Sequence, residues 1–355
     1  MIPIFKTYMP EKLDELNSLL HSGALAYGKW TKSFEGKLKH YLEVENLLCT
    51  NSYNSAMLVL LATLGLKHGT EVLASPMSCL ASNQPFLNRG LKVKWVDIDP
   101  ETGTLDPDHL RKNITSNTKA IFHNHHCGIP GYIDEVNQIG KEYGLFVVDD
   151  CIEALGSEYK NKILGSTGAD ASVYSFQTVR LPNTIDGGAI SFKSPELHNK
   201  ACLVRDYGID RKNFRDKDNE ICDTLDIQVE GYGALMSDVN GYIGDQQMGS
   251  IPTLLGRQRE NARSWKLYLD NKYPEVKILG NRKEINPNYW VLSILTSNKT
   301  QMIQEFRSLG YYASGIHINN NIYSAFGDLS PLKGVVDFMS RHVALPCGWW
   351  FNHGE

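Results

Sequence analysis

The sequence predicts an α/β protein built around a mainly parallel sheet. Three observations carry that expectation. Strand-like and helix-like segments alternate from about residue 45 to about residue 200. The strand-like runs are short and apolar enough to read as buried. Several of the helical segments stop at glycine, which closes a helix in the left-handed conformation at no steric cost.

Taken in order, EVLASP (71–76), LKVKWVDID (91–99), TKAIFHNHH (118–126), LFVVDD (145–150), ASVYSF (171–176) and GAISF (188–192) are the expected strands. NSAMLVLLATLGLKHG (54–69), DPDHLRKNI (106–114) and IDEVNQIGKEYG (133–144) are the helices between them. The polar stretch 211–233 lacks periodicity and reads as a surface excursion. A helix follows over 253–273, and YWVLSIL and YYASGIH point to a smaller α+β unit. The division expected is a large α/β domain with an N-terminal arm over 1–250, and a small C-terminal α+β domain over 251–355. Ligands of such sheets bind beyond the carboxyl ends of the strands, so candidate residues should lie just after them.

Composition narrows the function classes. The chain has 355 residues, 42% hydrophobic and 21% charged, with a formal net charge of -4 and no block of like charge. That argues against nucleic acid and anionic membrane surfaces as partners. No apolar run is long enough to span a bilayer, and the first residues lack a basic-then-apolar signal pattern. Seven cysteines without Cys-x-x-Cys pairs read as free thiols, as expected in the cytoplasm. No G-x-G-x-x-G opens a helix after a strand, which sets a dinucleotide-binding dehydrogenase aside.

The chemistry-bearing residues follow the strands. Asp149 and Asp150 end LFVVDD, and Glu153 stands three residues on. Ser52, Tyr53 and Asn54 open a helix, where backbone N–H groups and small donors suit a phosphate, although serine there is also an ordinary cap. Cys79 follows EVLASP. Glu153 also reads as a first-turn helix glutamate favoured by the helix dipole. His123, His125, His126 and Cys127 lie across a strand end without a second cluster at zinc spacing, so no metal is expected.

The stretch SVYSFQTVRLPNTIDGGAISF (172–192) resembles the cofactor-lysine segment of the DegT/DnrJ/EryC1/StrS family, the pyridoxal-phosphate sugar aminotransferases. Ser175-Phe176 and Gly187-Gly188 match, with Arg180 where the family carries its lysine. Gly208-Ile209-Asp210-Arg211 and Pro346-Cys347-Gly348-Trp349-Trp350 add to the likeness, which spans almost the whole chain. The resemblance implies a fold-type-I aminotransferase architecture and a homodimer with sites at the subunit interface. It implies pyridoxal or pyridoxamine phosphate as cofactor and a nucleotide-linked keto- or amino-sugar as ligand.

Residue by residue, the resemblance makes Asp150 the partner of the ring nitrogen and Ser175 a phosphate ligand. It puts Ser52, Tyr53 and Asn54 at the phosphate turn, Cys79 and Glu153 beside the ring, and His317 on the substrate side. Four positions depart from the pattern. Tyr53 replaces a glycine and is expected to block close approach, since it cannot take positive φ as glycine does. Glu153 replaces His or Gln, and Arg180 replaces the lysine. Gly233, in Gly231-Tyr232-Gly233, removes a donor to the partner's cofactor.

A guanidinium stays charged and is a poor nucleophile, so no internal aldimine is expected at Arg180. Three readings remain open. One is altered enzymology, such as dehydratase-like chemistry with non-covalent pyridoxamine phosphate, as in a sister group carrying histidine at this position. Another is a non-catalytic, sugar-nucleotide-binding homologue. The third is an engineered arginine in a working aminotransferase.

Overall fold

A computed structural model describes residues 1–351. Nine strands occur before residue 200: β1 (Asn46–Thr50), β2 (Glu71–Ala74), β3 (Lys92–Trp95), β4 (Thr118–Asn124), β5 (Phe146–Asp150), β6 (Glu158–Tyr159), β7 (Lys162–Ile163), β8 (Ala171–Ser175) and β9 (Gly188–Phe192). Seven of them form one sheet in the order β1-β9-β8-β5-β4-β2-β3. The pairs β8/β5, β5/β4, β4/β2 and β2/β3 are parallel, and β9 runs antiparallel to both β8 and β1.

Alternation along these strands feeds two cores. Val72 and Ala74 pack in one apolar cluster while Leu73, between them, packs in another on the opposite face. Every residue of β8 and β9 is buried, because helices cover both faces. Helix Tyr53–Thr63 is buried on nearly all sides, which is why its sequence is apolar all round and shows no stripe.

Four strands, β10 (Lys277–Ile278), β11 (Ile285–Asn286), β12 (Leu292–Leu295) and β13 (His342–Leu345), follow the 22-residue helix Ile251–Lys272. β10, β12 and β13 make a second, antiparallel sheet. Trp265 and Phe306 from two helices fill its core. β11 pairs instead with β6, so a strand of the C-terminal part joins the edge of a hairpin from the first part. YYASGIH makes only isolated bridges, and residues 211–233 form neither helix nor named strand.

All seven cysteines are free. Among the described residues no helix is long and apolar enough to cross a membrane. The parallel strands β2, β4, β5 and β8 end at Ala74, Asn124, Asp150 and Ser175, and the segments that leave them converge on one site.

Candidate active site

Asp150 ends β5 with 2% exposure. A carboxylate so far from water needs donors, and three groups supply them. Tyr53 donates its hydroxyl to Oδ1 at 2.8 Å, the Ile152 N–H donates to the same oxygen at 3.2 Å, and the Asn124 amide donates to Oδ2 at 3.0 Å. Tyr53 is the first residue of its helix and is 1% exposed. Its backbone is right-handed, so the expected conflict with positive φ does not arise; the ring turns inward instead. Ser52 acts as the cap of that helix, accepting from the Ser55 N–H at 3.0 Å, and Asn54 follows in the first turn.

The second centre is Glu153. It lies in a turn after β5, not in the first turn of a helix as the dipole reading expects. Its carboxylate is buried and accepts from the Cys127 N–H at 2.8 Å and from His317 Nε2–H at 2.7 Å. Arg180 Nη2 lies 3.6 Å from the same Oε1. Burial alone would raise the Glu153 carboxyl, but the charges of His317 and Arg180 outweigh it and hold it down to about 2.

Arg180 is 7% exposed, with its guanidinium 4.3 Å above the Trp290 ring. Phe5 stacks on Trp290 at 4.5 Å, and the indole N–H donates to the Val179 carbonyl at 3.1 Å. Nε and Nη1 of Arg180 have no protein partner. Arg180 lines a cavity of about 30 Å³ with Ser175, Glu153 and Trp290. Lys6 also lines it, but is exposed and lies over Trp349 at 5.8 Å. Cys79 is partly buried at the start of helix Leu80–Asn88.

The structure therefore brings Arg180, Glu153, Ser175 and His317 to one place, and Tyr53 and Asp150 to a second place beside it, joined through Ile152. Asn124, Trp290, Phe5 and Lys6 were not singled out from the sequence. Trp290 is 110 positions from Arg180, and nothing local marks it.

The fold divides the run His123, His125, His126 and Cys127 between two clusters. His123, His125 and Asp149 form one buried trio, and His126, Cys127 and His342 another, each with its donor atoms within 4.8 Å. Their third members come from distant strands, which sequence spacing does not show. Hydrogen bonds link members of the second trio, whereas in the first both nitrogens of His123, Nε2 of His125 and Oδ1 of Asp149 are buried without a hydrogen-bond partner. His125 Nδ1 accepts the Gly131 N–H at 3.1 Å, so its Nε2 carries the hydrogen and faces Asp149 Oδ1 at 3.3 Å. His126 Nδ1 faces the Met77 carbonyl at 3.3 Å, leaving Nε2 to accept the Cys127 thiol at 3.4 Å. Burial pulls His126 down to about 4 and pushes the Cys127 thiol up, so both stay neutral.

At Gly233 the β-carbon position lies 2.1 Å from the hydroxyl of exposed Tyr207, which would have to swing aside for a larger residue. Its carbonyl accepts from the Asn51 amide at 3.1 Å.

A mainly parallel sheet with one antiparallel strand, a small antiparallel unit behind it and a polar site at the strand ends define an α/β protein of fold type I, the aminotransferase type. The chain belongs to the DegT/DnrJ/EryC1/StrS aminotransferase family, which it matches over residues 7–352. It is 28% identical over 340 residues to the UDP-4-amino-4,6-dideoxy-N-acetyl-beta-L-altrosamine transaminase of Helicobacter pylori, covering 93% of this chain and 88% of that one. It is 26% identical over 289 residues to the GDP-4-keto-6-deoxy-D-mannose 3-dehydratase of Escherichia coli O55:H7, covering 78% and 73%. The solved sugar aminotransferase CalS13 of Micromonospora echinospora superposes with a TM-score of 0.91 at 26% identity, over 99% of this chain and 96% of that one.

The family uses pyridoxal phosphate, which needs an amine for its imine and a carboxylate for its ring nitrogen. Among the described residues no lysine is buried, and the one that lines the cavity is exposed. Asp150 is such a carboxylate, with acceptor capacity left on Oδ2, which takes one hydrogen bond. The cavity beside Arg180, about 30 Å³, takes a water or two. The residues present do not fit an imine-bound pyridoxal phosphate.

Proposed function

We propose that this protein recognises a nucleotide-linked keto- or amino-sugar beyond the strand ends and does not transaminate through a lysine imine. The observation that carries this reading is Arg180. In the family pattern it takes the lysine's position, and its guanidinium is committed to Glu153 and the face of Trp290. A guanidinium neither forms an imine nor shuttles a proton near neutral pH. Ser175 lines the cavity beside Arg180; Ser52, Asn54 and Cys79 are the further candidates for a phosphate and a ring, and His317 for the sugar. The sugar class is supported by the nucleotide-sugar relatives, and a homodimer by the family.

A spectral titration with pyridoxal phosphate tests the chemistry. The unaltered protein should give no imine band, and Arg180→Lys is the variant in which one could appear. Calorimetry with UDP- and GDP-linked sugars tests the ligand: saturable binding without any cofactor is expected. No binding of either class sinks the reading.

A second reading draws on His317. Hydrogen-bonded to buried Glu153 and beside Arg180, it is a candidate base for dehydratase-like chemistry with non-covalent pyridoxamine phosphate. Saturable binding of pyridoxamine phosphate by the unaltered protein, with loss of a sugar hydroxyl on turnover, would favour it.

A further inference from the structure

We infer that Tyr53 is a built-in occupant of the cofactor ring's place: its phenol takes the donor position at Asp150 and keeps a pyridine ring off that carboxylate. The inference rests on the reading that this pocket works without an imine-bound cofactor, and it adds the side chain that closes the slot.

The ring is anchored at the start of helix Tyr53–Thr63 and reaches inward to the end of β5. Its hydroxyl meets Asp150 Oδ1 at 2.8 Å and Ser82 Oγ at 3.3 Å. The anchor is itself pressed into place. The β-carbon position of Gly188 lies 2.9 Å from the Tyr53 α-carbon and 2.8 Å from the Ser52 carbonyl oxygen, so the helix start sits directly on β9. A protonated pyridine would offer Asp150 an N–H at one end and hold a phosphate near a helix start at the other. Tyr53 spans the same two features with one covalently attached ring, and its donor serves the same carboxylate. A fixed side chain carries none of the translational and rotational cost of binding, so it outcompetes a free ring for that position.

Removing the ring should therefore reopen the slot. Tyr53→Gly leaves a hole of ring size and an Asp150 short of one donor, and an aromatic base with an N–H satisfies both. Engineered apolar holes bind small rings in the same way.

The test is a titration of the full chain with pyridoxamine phosphate, with inorganic phosphate as control, read by calorimetry. Pyridoxamine phosphate carries its own amine and needs no lysine. The unaltered protein and Tyr53→Phe, which keeps the ring, should show no saturable binding. Tyr53→Gly should bind pyridoxamine phosphate at least about tenfold more tightly than either, and no better than they do for phosphate alone. If Tyr53→Gly does not fold unaided, the probe is present during refolding. Recovery of folded protein with pyridoxamine phosphate but not with phosphate supports the inference, and equal recovery or none overturns it. Binding by the unaltered protein as tight as by Tyr53→Gly also overturns it, and leaves Arg180's inability to form an imine untouched. Failure to bind any nucleotide-sugar would instead sink the functional reading and leave Tyr53's place standing.

Discussion

A charged side chain away from water must find a counter-charge, and that requirement joins the two residues that most mark this chain. Arg180 and Glu153 meet at 3.6 Å with side-chain exposures of 7% and 1%. Removing one charge of a buried pair strands the other, at a typical cost of about 3 kcal/mol or more. Glu153→Gln should therefore destabilise the protein by about 3 kcal/mol in urea denaturation. Adding Arg180→Gln should cost less than the sum of the single changes. A double-mutant cycle without coupling would show that Arg180 draws nothing from Glu153. Arg180 and Glu153 each stood out in the sequence against the motif it resembles. Their partnership did not, because 27 positions and two strand ends separate them. Tyr53 and Asp150 are 97 positions apart, and only the fold reveals that one departure answers a retained carboxylate.

Elements divide by whether their cause is local. Strands β2, β3, β4, β5, β8 and β9 were legible because each is a short run rich in apolar residues, and helix Ile133–Tyr143 because it ends at Gly144 in the left-handed conformation. Strand β1 was not: its five residues pair with β9, 138 to 146 positions on, and Thr50 also bridges Leu235. Helix Leu80–Asn88 carries Pro85 inside and was likewise hidden. Helix Lys29–Leu42 shows a cap supplied from elsewhere. Its cap position is Gly28, which has no side chain to offer. Asp238, the first residue of helix Asp238–Gln247, accepts from the Gly28 N–H at 3.1 Å and the Thr31 N–H at 2.8 Å. The carboxylate lies only 2.9 Å from the Gly28 β-carbon position, so the glycine makes room for its own cap. Asp238→Ala should cost about 2 kcal/mol, the upper end for a cap, because the acceptor is charged and buried. Asp238→Asn, which keeps an acceptor oxygen, should cost about half as much. Equal losses in denaturation would show that packing of the side chain, not the cap, holds the two helices together.

Across the whole molecule, buried titratable groups near the site set how folding responds to acid. His126 packs against Phe338, His317 and His342, and burial followed by repulsion from His317 lowers it from 6.5 to about 4. Between those values the unfolded chain binds the proton and the folded chain does not. Stability is then complete above about pH 6.5 and falls as pH drops toward 4. Glu153 acts lower. Its pKa falls from 4.5 unfolded to about 2 folded, so the stability it contributes is present above about pH 4.5 and is lost as pH falls through 2. Histidine burial therefore leads the acid response, and carboxylate protonation follows. In urea denaturation at steps from pH 7 to 4, the unaltered protein should lose stability steadily. Replacing His126 by Gln removes one proton from the difference, so the slope should flatten by up to about 1.4 kcal/mol per pH unit, whatever the variant's stability at pH 7. His342, also held neutral by burial, leaves a residual slope in that variant. An unchanged slope in His126→Gln would mean that His126 takes up its proton without unfolding, and that the layer between the two sheets opens locally to admit it.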